Sequence, residues 1–331
     1  MSVTKGQVNR AGEVLRQNPS DETALNILSE WRSLHAYPLN LAFNLLKRNT
    51  DSIGNNALYG QRLKRVHSII HKLERMPDAK LSRIQDIGGC RVILSSYDKL
   101  RDLYSKLKKS KSIQNNHKDY ITYPKGDGYR SIHLIYQCSS KDPQYKDLKI
   151  EFQLRTKLQH AWATAVEIID SFEGQNLKLG RGGDKWKRFF YLVADEFAKM
   201  ESLPLHDNSI ITDRVAEIRS LAHELGVIEK LSSYIVVSEV STNKSSPKLI
   251  KHADYYVLIL NTIQPNINIS PFNDINIAQE FYITNEKTYI NNQAINVLFV
   301  RSKSIKNLKA SYPNYFADSK IFLDKLNQVI S

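Results

Sequence analysis

The chain has 331 residues, 41% of them hydrophobic, and a net charge of +13 at neutral pH. That length suits two domains better than one small one, and the apolar share is enough for packed cores, which excludes a largely disordered chain. No stretch approaches the roughly 20 apolar residues of a membrane span, and the polar start MSVTKGQVNRAGEVLRQ lacks a signal-peptide core, so a cytoplasmic protein without membrane partners is expected.

The charge is unevenly spread. Residues 201–331 hold 13 Lys+Arg against 13 Asp+Glu, so the whole excess lies in residues 1–200. Such a field draws in polyphosphates or RNA, although a solvated lysine-rich surface has the same composition. Cys90 and Cys138 sit in apolar runs without metal or disulfide spacing and read as buried thiols.

In chain order, residues 8–48 read as helices broken at Asn18-Pro19-Ser20-Asp21. Ser20 or Asp21 caps the second helix, and Leu25, Leu28 and Trp31 follow at helical spacing. Residues 57–78 begin with basic residues and pass into an amphipathic helix with Ile69, Ile70 and Leu73. A strand at 90–96, a helix at 97–109 and a loop at 110–128 come next. Two strands follow, YRSIHLIYQC and LKIEFQLRT. In the second, Ile150, Phe152 and Leu154 face one way and Glu151, Gln153 and Arg155 the other. Helix runs from 157 to about 200, interrupted by GRGGDK. The pattern predicts an α+β fold, a mixed sheet flanked by helices over 1–202, then a second, smaller α+β domain over 203–331. In the latter, a helix at 213–226, strands around YIVVSEV, DYYVLIL and AINVLFV, and helices at about 275–289 and 303–329 are expected.

Four segments share a phosphate-handling chemistry. In GQRLKRVHS, Arg62 and Lys64 alternate on an extended strand, while Ser68 and Lys72 share a helix face; guanidinium groups stack on bases and fork onto phosphates. A solvated basic face reads the same way. In RIQDIGGCRVIL, Asp86 is placed either to cap a turn or to hold a divalent cation at a strand edge, and Gly88-Gly89 let a ligand approach the backbone. The loop KDYITYPKGDGYRSIHL offers Lys125, Tyr129, Arg130 and His133, an aromatic face with donors around it. In IEFQLRTKLQHAWA, Glu151 is suited to sharing a metal with Asp86 and activating a hydroxyl.

Together the pieces RLKRVHSIIHKL, DIGGCRVI, DYITYPKGDGYRSIHL and EFQLRTKLQHAWA resemble, in wording and order, the synthetase domain of the RelA/SpoT family over roughly residues 30–200. The resemblance implies in-line attack by a ribose 3′-hydroxyl on the β-phosphorus of ATP, with AMP leaving. It implies that Arg62 and Arg91 sandwich adenine, and that Lys64, Ser68 and Lys72 bind the ATP phosphates. Asp86 and Glu151 would hold Mg2+, Tyr129 would stack on the acceptor base, and Lys125 and His133 would meet acceptor phosphates, with Gln153 and Arg155 in support.

Acceptors within this family are GDP or GTP, adenine nucleotides, or the tRNA 3′ CCA end. The basic excess in Lys106, Lys108, Lys109, Lys111 and Lys118, and again in Lys178, Arg181, Lys185, Lys187 and Arg188, favours tRNA. Trp186 within the second cluster is either an RNA contact or a core anchor. The last stretch, SIKNLKASYPNYFADSKIFLDKL, resembles the end of fused toxin–antitoxin members of the CapRel type, in which the tail covers the ATP site and a phage capsid protein releases it. Tyr312 and Tyr315 are the matching pair. The alternatives are an alarmone synthetase with a regulatory tail and a catalytically inactive sensor that kept the fold. No cysteine lies in the tail, which excludes a zinc-bound version of it.

Overall fold

A computed structural model describes residues 3–54, 57–173, 177, 182–206, 214–232, 253–261, 266–289, 292, 295–301, 308–309 and 319–331. Three helices lead, α1 (Lys5–Gln17), α2 (Glu22–Leu34) and α3 (Ala36–Asp51). Asp21, rather than Ser20, caps α2: its carboxylate accepts from the Ala24 amide at 2.8 Å. Then come β1 (Leu58–Leu63), α4 (Val66–Arg75), β2 (Gly88–Leu94), α5 (Tyr97–Lys108), β3 (Lys118–Asp119), β4 (Ile132–Gln137) and β5 (Lys149–Thr156). The last of these runs directly into α6 (Lys157–Glu173), followed by α7 (Asp184–Met200). Beyond it lie α8 (Arg214–Glu224), β6 (Tyr255–Asn261), β7 (Asn266–Phe272), α9 (Ile275–Thr288), β8 (Ile295–Arg301) and α10 (Lys320–Ile330). Strand β7 is not foreseen in the sequence. The strand expected at YIVVSEV lies outside the described residues, as do Tyr312, Tyr315, Lys178 and Arg181.

The strands form one eight-stranded mixed sheet in the order β3-β4-β5-β2-β1-β8-β6-β7, in which β2 and β5 are the parallel pair. The strands of the C-terminal third therefore continue the first sheet. They join it where β8 meets β1, at Arg62 opposite Val300. Residues from both halves share the largest core: Tyr255, Val257, Tyr282 and Phe299 cluster with Leu39, Cys90, Val92 and Phe152.

Period-two alternation decides the two faces of this sheet. Cys90, Val92 and Leu94 of β2, with Ile150, Phe152 and Leu154 of β5, pack on Leu39 and Phe43 of α3 and on Leu100 and Leu103 of α5. The opposite face of β2, β4 and β5 carries Arg91, His133, Glu151, Gln153 and Arg155, and α6 and α7 stand over it. Gly88 lies opposite Ile150 where β2 pairs with β5, and a Cβ there would come 2.6 Å from Ile150 Cδ1, so the end of that side chain would have to shift.

Candidate active site

A cavity of about 630 Å³ opens between the polar face of the sheet and the α6–α7 pair. Two groups of side chains face each other across it. On one side β1 delivers Arg62, the turn after it Lys64, α4 Lys72 and β2 Arg91, all lining the cavity with Asp86. Lys64 and Lys72 each donate to Asp86, to Oδ2 and Oδ1, both at 2.8 Å. Burial opposes a charged carboxylate here, but the two ammonium groups outweigh it and hold Asp86 well below the usual carboxylate range. Ser68, one turn before Lys72 on the same face of α4, is half-buried and is not among the residues that line the cavity.

The other side is a hydrogen-bonded ring of side chains. Glu151 Oε1 lies 3.0 Å from His133 Nδ1, and Glu151 Oε2 accepts from Gln153 Nε2 at 2.7 Å. His133 Nε2 is 2.7 Å from the Tyr129 hydroxyl, which also accepts from Arg155 Nη2 at 2.8 Å. Arg155 in turn reaches Gln153 Oε1 at 3.3 Å. The Lys125 ammonium lies 4.6 Å from the ring centre of Tyr120 and 4.9 Å from that of Tyr129. Tyr120 stands edge-on to both Tyr129 and His133 and is a site residue that sequence reasoning passed over. Its signal was the pair of tyrosines bracketing the glycine-containing loop. Arg130, by contrast, is turned away: it is buried and bonded to Asp195 on α7.

Burial disfavours the His133 imidazolium, yet the Tyr129 oxygen and the Glu151 carboxylate outweigh it and push His133 up to about 9. Glu151 is in turn lowered: burial works against its charge, and His133 more than compensates. Asp86 pushes Glu151 the other way, so the two carboxylates sense each other across the cavity. A raised histidine contributes stability that is complete below its ordinary value near 6.5 and is lost as pH rises through about 9. Tyr129 is shifted the opposite way: burial opposes its ionisation, but the Arg155 and His133 charges bring its hydroxyl down to about 7, and its contribution grows over the same window. The two offset, so the melting temperature of the full chain is expected to stay nearly flat between pH 7 and 9, whereas in Tyr129→Phe it is expected to fall as pH rises. An identical slope in the variant assigns the titration to another group.

Of the first basic cluster expected to meet RNA, Lys118 lines this cavity, whereas Lys106, Lys108 and Lys109 do not. Lys106, Lys108 and Lys109 lie at the C-terminal end of α5, against the apolar face of the sheet and so on its far side. Lys106 donates to Ser52 Oγ at 2.8 Å, and the Lys108 ammonium sits 5.2 Å from the ring centre of Tyr104. On α7, Lys185 pairs with Glu224 and Arg188 forks onto Glu217 at 2.7 and 2.8 Å, both acids belonging to α8. Trp186 is a core anchor, buried and stacked on Phe190. Of that cluster Lys187 reaches the cavity.

The segment that builds this site has known counterparts. Residues 61–169 match the family described as "Region found in RelA / SpoT proteins", a match that takes in both carboxylates and both flanking groups. The chain is 32% identical over 115 residues to the GTP pyrophosphokinase YwaC of Bacillus subtilis (strain 168), a match covering 33% of this chain and 55% of that protein. It is also 32% identical over 114 residues to the GTP pyrophosphokinase YjbM of the same strain, covering 33% and 54%. The chain thus spans about half the length of these relatives. Among solved structures, the small alarmone synthetase 2 from Bacillus subtilis is similar at 25% identity over 52% of this chain and 90% of that one, with a TM-score of 0.42. The small alarmone synthetase 1 bound to its product pppGpp is similar at 25% identity over 44% and 74%, with a TM-score of 0.37.

Proposed function

We propose that the chain is a pyrophosphokinase that moves the β,γ-pyrophosphate of ATP to the 3′-hydroxyl of a guanine nucleotide. The observation that carries this reading is one cavity in which Asp86 and Glu151 stand between a cationic side, Arg62, Lys64, Lys72 and Arg91, and an aromatic side, Tyr129, Tyr120 and Lys125. The cationic side suits a triphosphate with a base stacked on guanidinium, and the aromatic side suits a second nucleotide. The printed names of the curated relatives favour guanine for that acceptor.

The transfer forms a bond from the acceptor 3′-oxygen to the β-phosphorus and breaks the bond from that phosphorus to the oxygen of AMP. The Glu151 carboxylate takes the hydroxyl proton, and AMP leaves with the electron pair of the broken bond. Phosphoryl chemistry of this kind needs positioning and charge neutralisation more than covalent help. Lys64 and Lys72 now neutralise Asp86; incoming phosphates, carrying more negative charge, would draw them across. Asp86 and Glu151, a pair of hard oxygen donors facing one cavity, would hold Mg2+, which would neutralise charge on the transferring group. Hydrogen bonds from His133 and Gln153 orient Glu151, and Arg155 and His133 orient Tyr129.

A second reading makes the acceptor the 3′ end of tRNA, with translation inhibited under control of the C-terminal region and a phage capsid protein as trigger. The observation favouring RNA is Tyr123, 78% exposed at the tip of the acceptor loop beside Lys125, a stacking surface that a mononucleotide inside the cavity leaves unused. Control by a tail rests on the resemblance of residues 304–326 to CapRel-type proteins.

Purified full-length protein given γ-labelled ATP with GDP, GTP, AMP or tRNA in turn separates the readings. Label on GDP or GTP is expected; label on tRNA alone selects the second reading, and folded protein that labels no acceptor removes both. Charge reversal of Lys106, Lys108 and Lys109 together is expected to leave transfer to GDP or GTP within about twofold, since these residues face away from the cavity. A loss larger than that on a mononucleotide contradicts the placement of α5.

A further inference from the structure

The acceptor loop is held from outside the RelA/SpoT region. Asp195 on α7 is fully buried and gathers four donors: Arg130 Nη2 at 3.0 Å, Arg214 Nη1 at 3.2 Å, His206 Nδ1 at 2.6 Å and the His206 amide at 3.2 Å. Two of these partners reach on to the loop. Arg130 Nη1 donates to the Ile121 carbonyl at 3.2 Å, and His206 Nε2 to the Lys125 carbonyl at 2.7 Å, an oxygen that also accepts from the Gly128 amide at 2.9 Å. Gly128 lies flat on α7 with φ +94°, and a Cβ there would meet Ala194 Cβ at 2.9 Å. The loop that presents Lys125 and Tyr129 is thus fastened to α7 near both ends through one carboxylate. His206 belongs to the connection between α7 and α8, and its ring packs 4.8 Å from that of Tyr191.

We infer that His206 is a positioning residue for the acceptor site: by bridging Asp195 to the Lys125 carbonyl, it keeps the Lys125 ammonium between Tyr120 and Tyr129. This rests on the reading of that loop as the acceptor side. A carboxylate and a carbonyl only accept hydrogen bonds, so the ring must present an N–H to each. The two links can be separated chemically. The amide nitrogen of asparagine overlies Nδ1, and that of glutamine overlies Nε2. His206→Asn therefore keeps the bond to Asp195 and loses Lys125, while His206→Gln keeps Lys125. In both variants Asp195 retains Arg130 and Arg214, so no buried charge is left unpaired and the chain is expected to fold.

The test uses the full chain, GDP as the acceptor probe, and hydrogen exchange as a readout independent of turnover. In His206→Asn the KM for GDP is expected to rise about tenfold, the size of one lost hydrogen bond, with the KM for ATP within about twofold. Amides of residues 122–128 should exchange faster in this variant. His206→Gln should restore both the GDP affinity and the protection. An unchanged KM for GDP in His206→Asn, or equal rises for GDP and ATP, overturns the positioning role, as does loss of the effect in both variants in proportion to melting temperature. A wild-type chain that neither binds nor modifies GDP overturns the reading of the loop itself; protection of residues 122–128 that depends on Nε2 but not on Nδ1 would still establish the clamp.

Discussion

Glu151→Gln is expected to reduce pyrophosphate transfer by about 10³-fold or more, in the range typical of removing a positioned general base, while the melting temperature changes by only a few degrees. The amide has the volume of the carboxylate and still offers an oxygen to His133, and if the Gln153 amide turns over to accept from the new NH2 group, what is given up is its 3.3 Å bond from Arg155. What is lost is the negative charge that would accept the hydroxyl proton. Asp86→Asn is expected to act as strongly for a different reason. The carboxylate is the shared partner of Lys64 and Lys72, and an amide would neither hold those two ammonium groups together nor serve a divalent cation. Both variants are checked by label transfer at saturating ATP and acceptor, with circular dichroism confirming the fold. A folded variant that keeps near wild-type transfer shows that the carboxylate in question has no chemical role.

The second large effect lies in stability and ties the C-terminal region to the cationic side of the cavity. Arg32 of α2, buried to 1% exposure, donates from Nε to the Lys64 carbonyl at 2.8 Å and from Nη2 to the Tyr282 hydroxyl at 2.5 Å, and it ion-pairs with Glu286; the last two belong to α9. Glu286→Leu would leave a guanidinium charge buried without its counter-ion, a loss of about 3–5 kcal/mol and a fall in melting temperature on the order of 10 °C. Adding Arg32→Met should recover much of that loss, since replacing both partners of a buried pair by apolar groups is often close to neutral. Denaturant unfolding of the two single variants and the double variant measures the coupling. A cost below about 1 kcal/mol for Glu286→Leu, as for an exposed pair, would mean that the contact does not form.

This arrangement also changes what a truncation can test. If the C-terminal region were a detachable inhibitor, a 1–202 fragment would be more active than the whole chain. Cutting there removes Tyr282 and Glu286 from Arg32, uncovers the edge of β1 beside Arg62, and strips Tyr255, Val257, Tyr282 and Phe299 from the largest core. An unstable fragment is the expected result. Inhibition by the tail is better tested in the full chain with Tyr312→Ala and Tyr315→Ala, where a gain in transfer cannot arise from lost stability.

The sequence by itself determined which residues could share a face and what chemistry they offered. Alternation in β5 separates Glu151, Gln153 and Arg155 from Ile150, Phe152 and Leu154, and the structure keeps that division. The motifs bring Arg62, Lys64, Lys72, Asp86 and Arg91 to one cavity with Lys125, Tyr129 and His133, because each lies on a strand or on the helix or loop directly next to one, whose direction is local information. The tertiary structure alone decided which neighbours answer them. A count of lysines does not say that α5 turns its charges away from the site, nor that Glu217 and Glu224 on a later helix neutralise Arg188 and Lys185. The glycine pair cannot show that Gly88 lies opposite Ile150 where β2 runs beside β5. Pairing between β1 and β8, the hold of α9 on Arg32, and the grip of His206 on the acceptor loop join residues tens to hundreds of positions apart. Local periodicity specifies the orientation of a side chain along its own element, whereas its partner is selected by the packing of whole elements on one another.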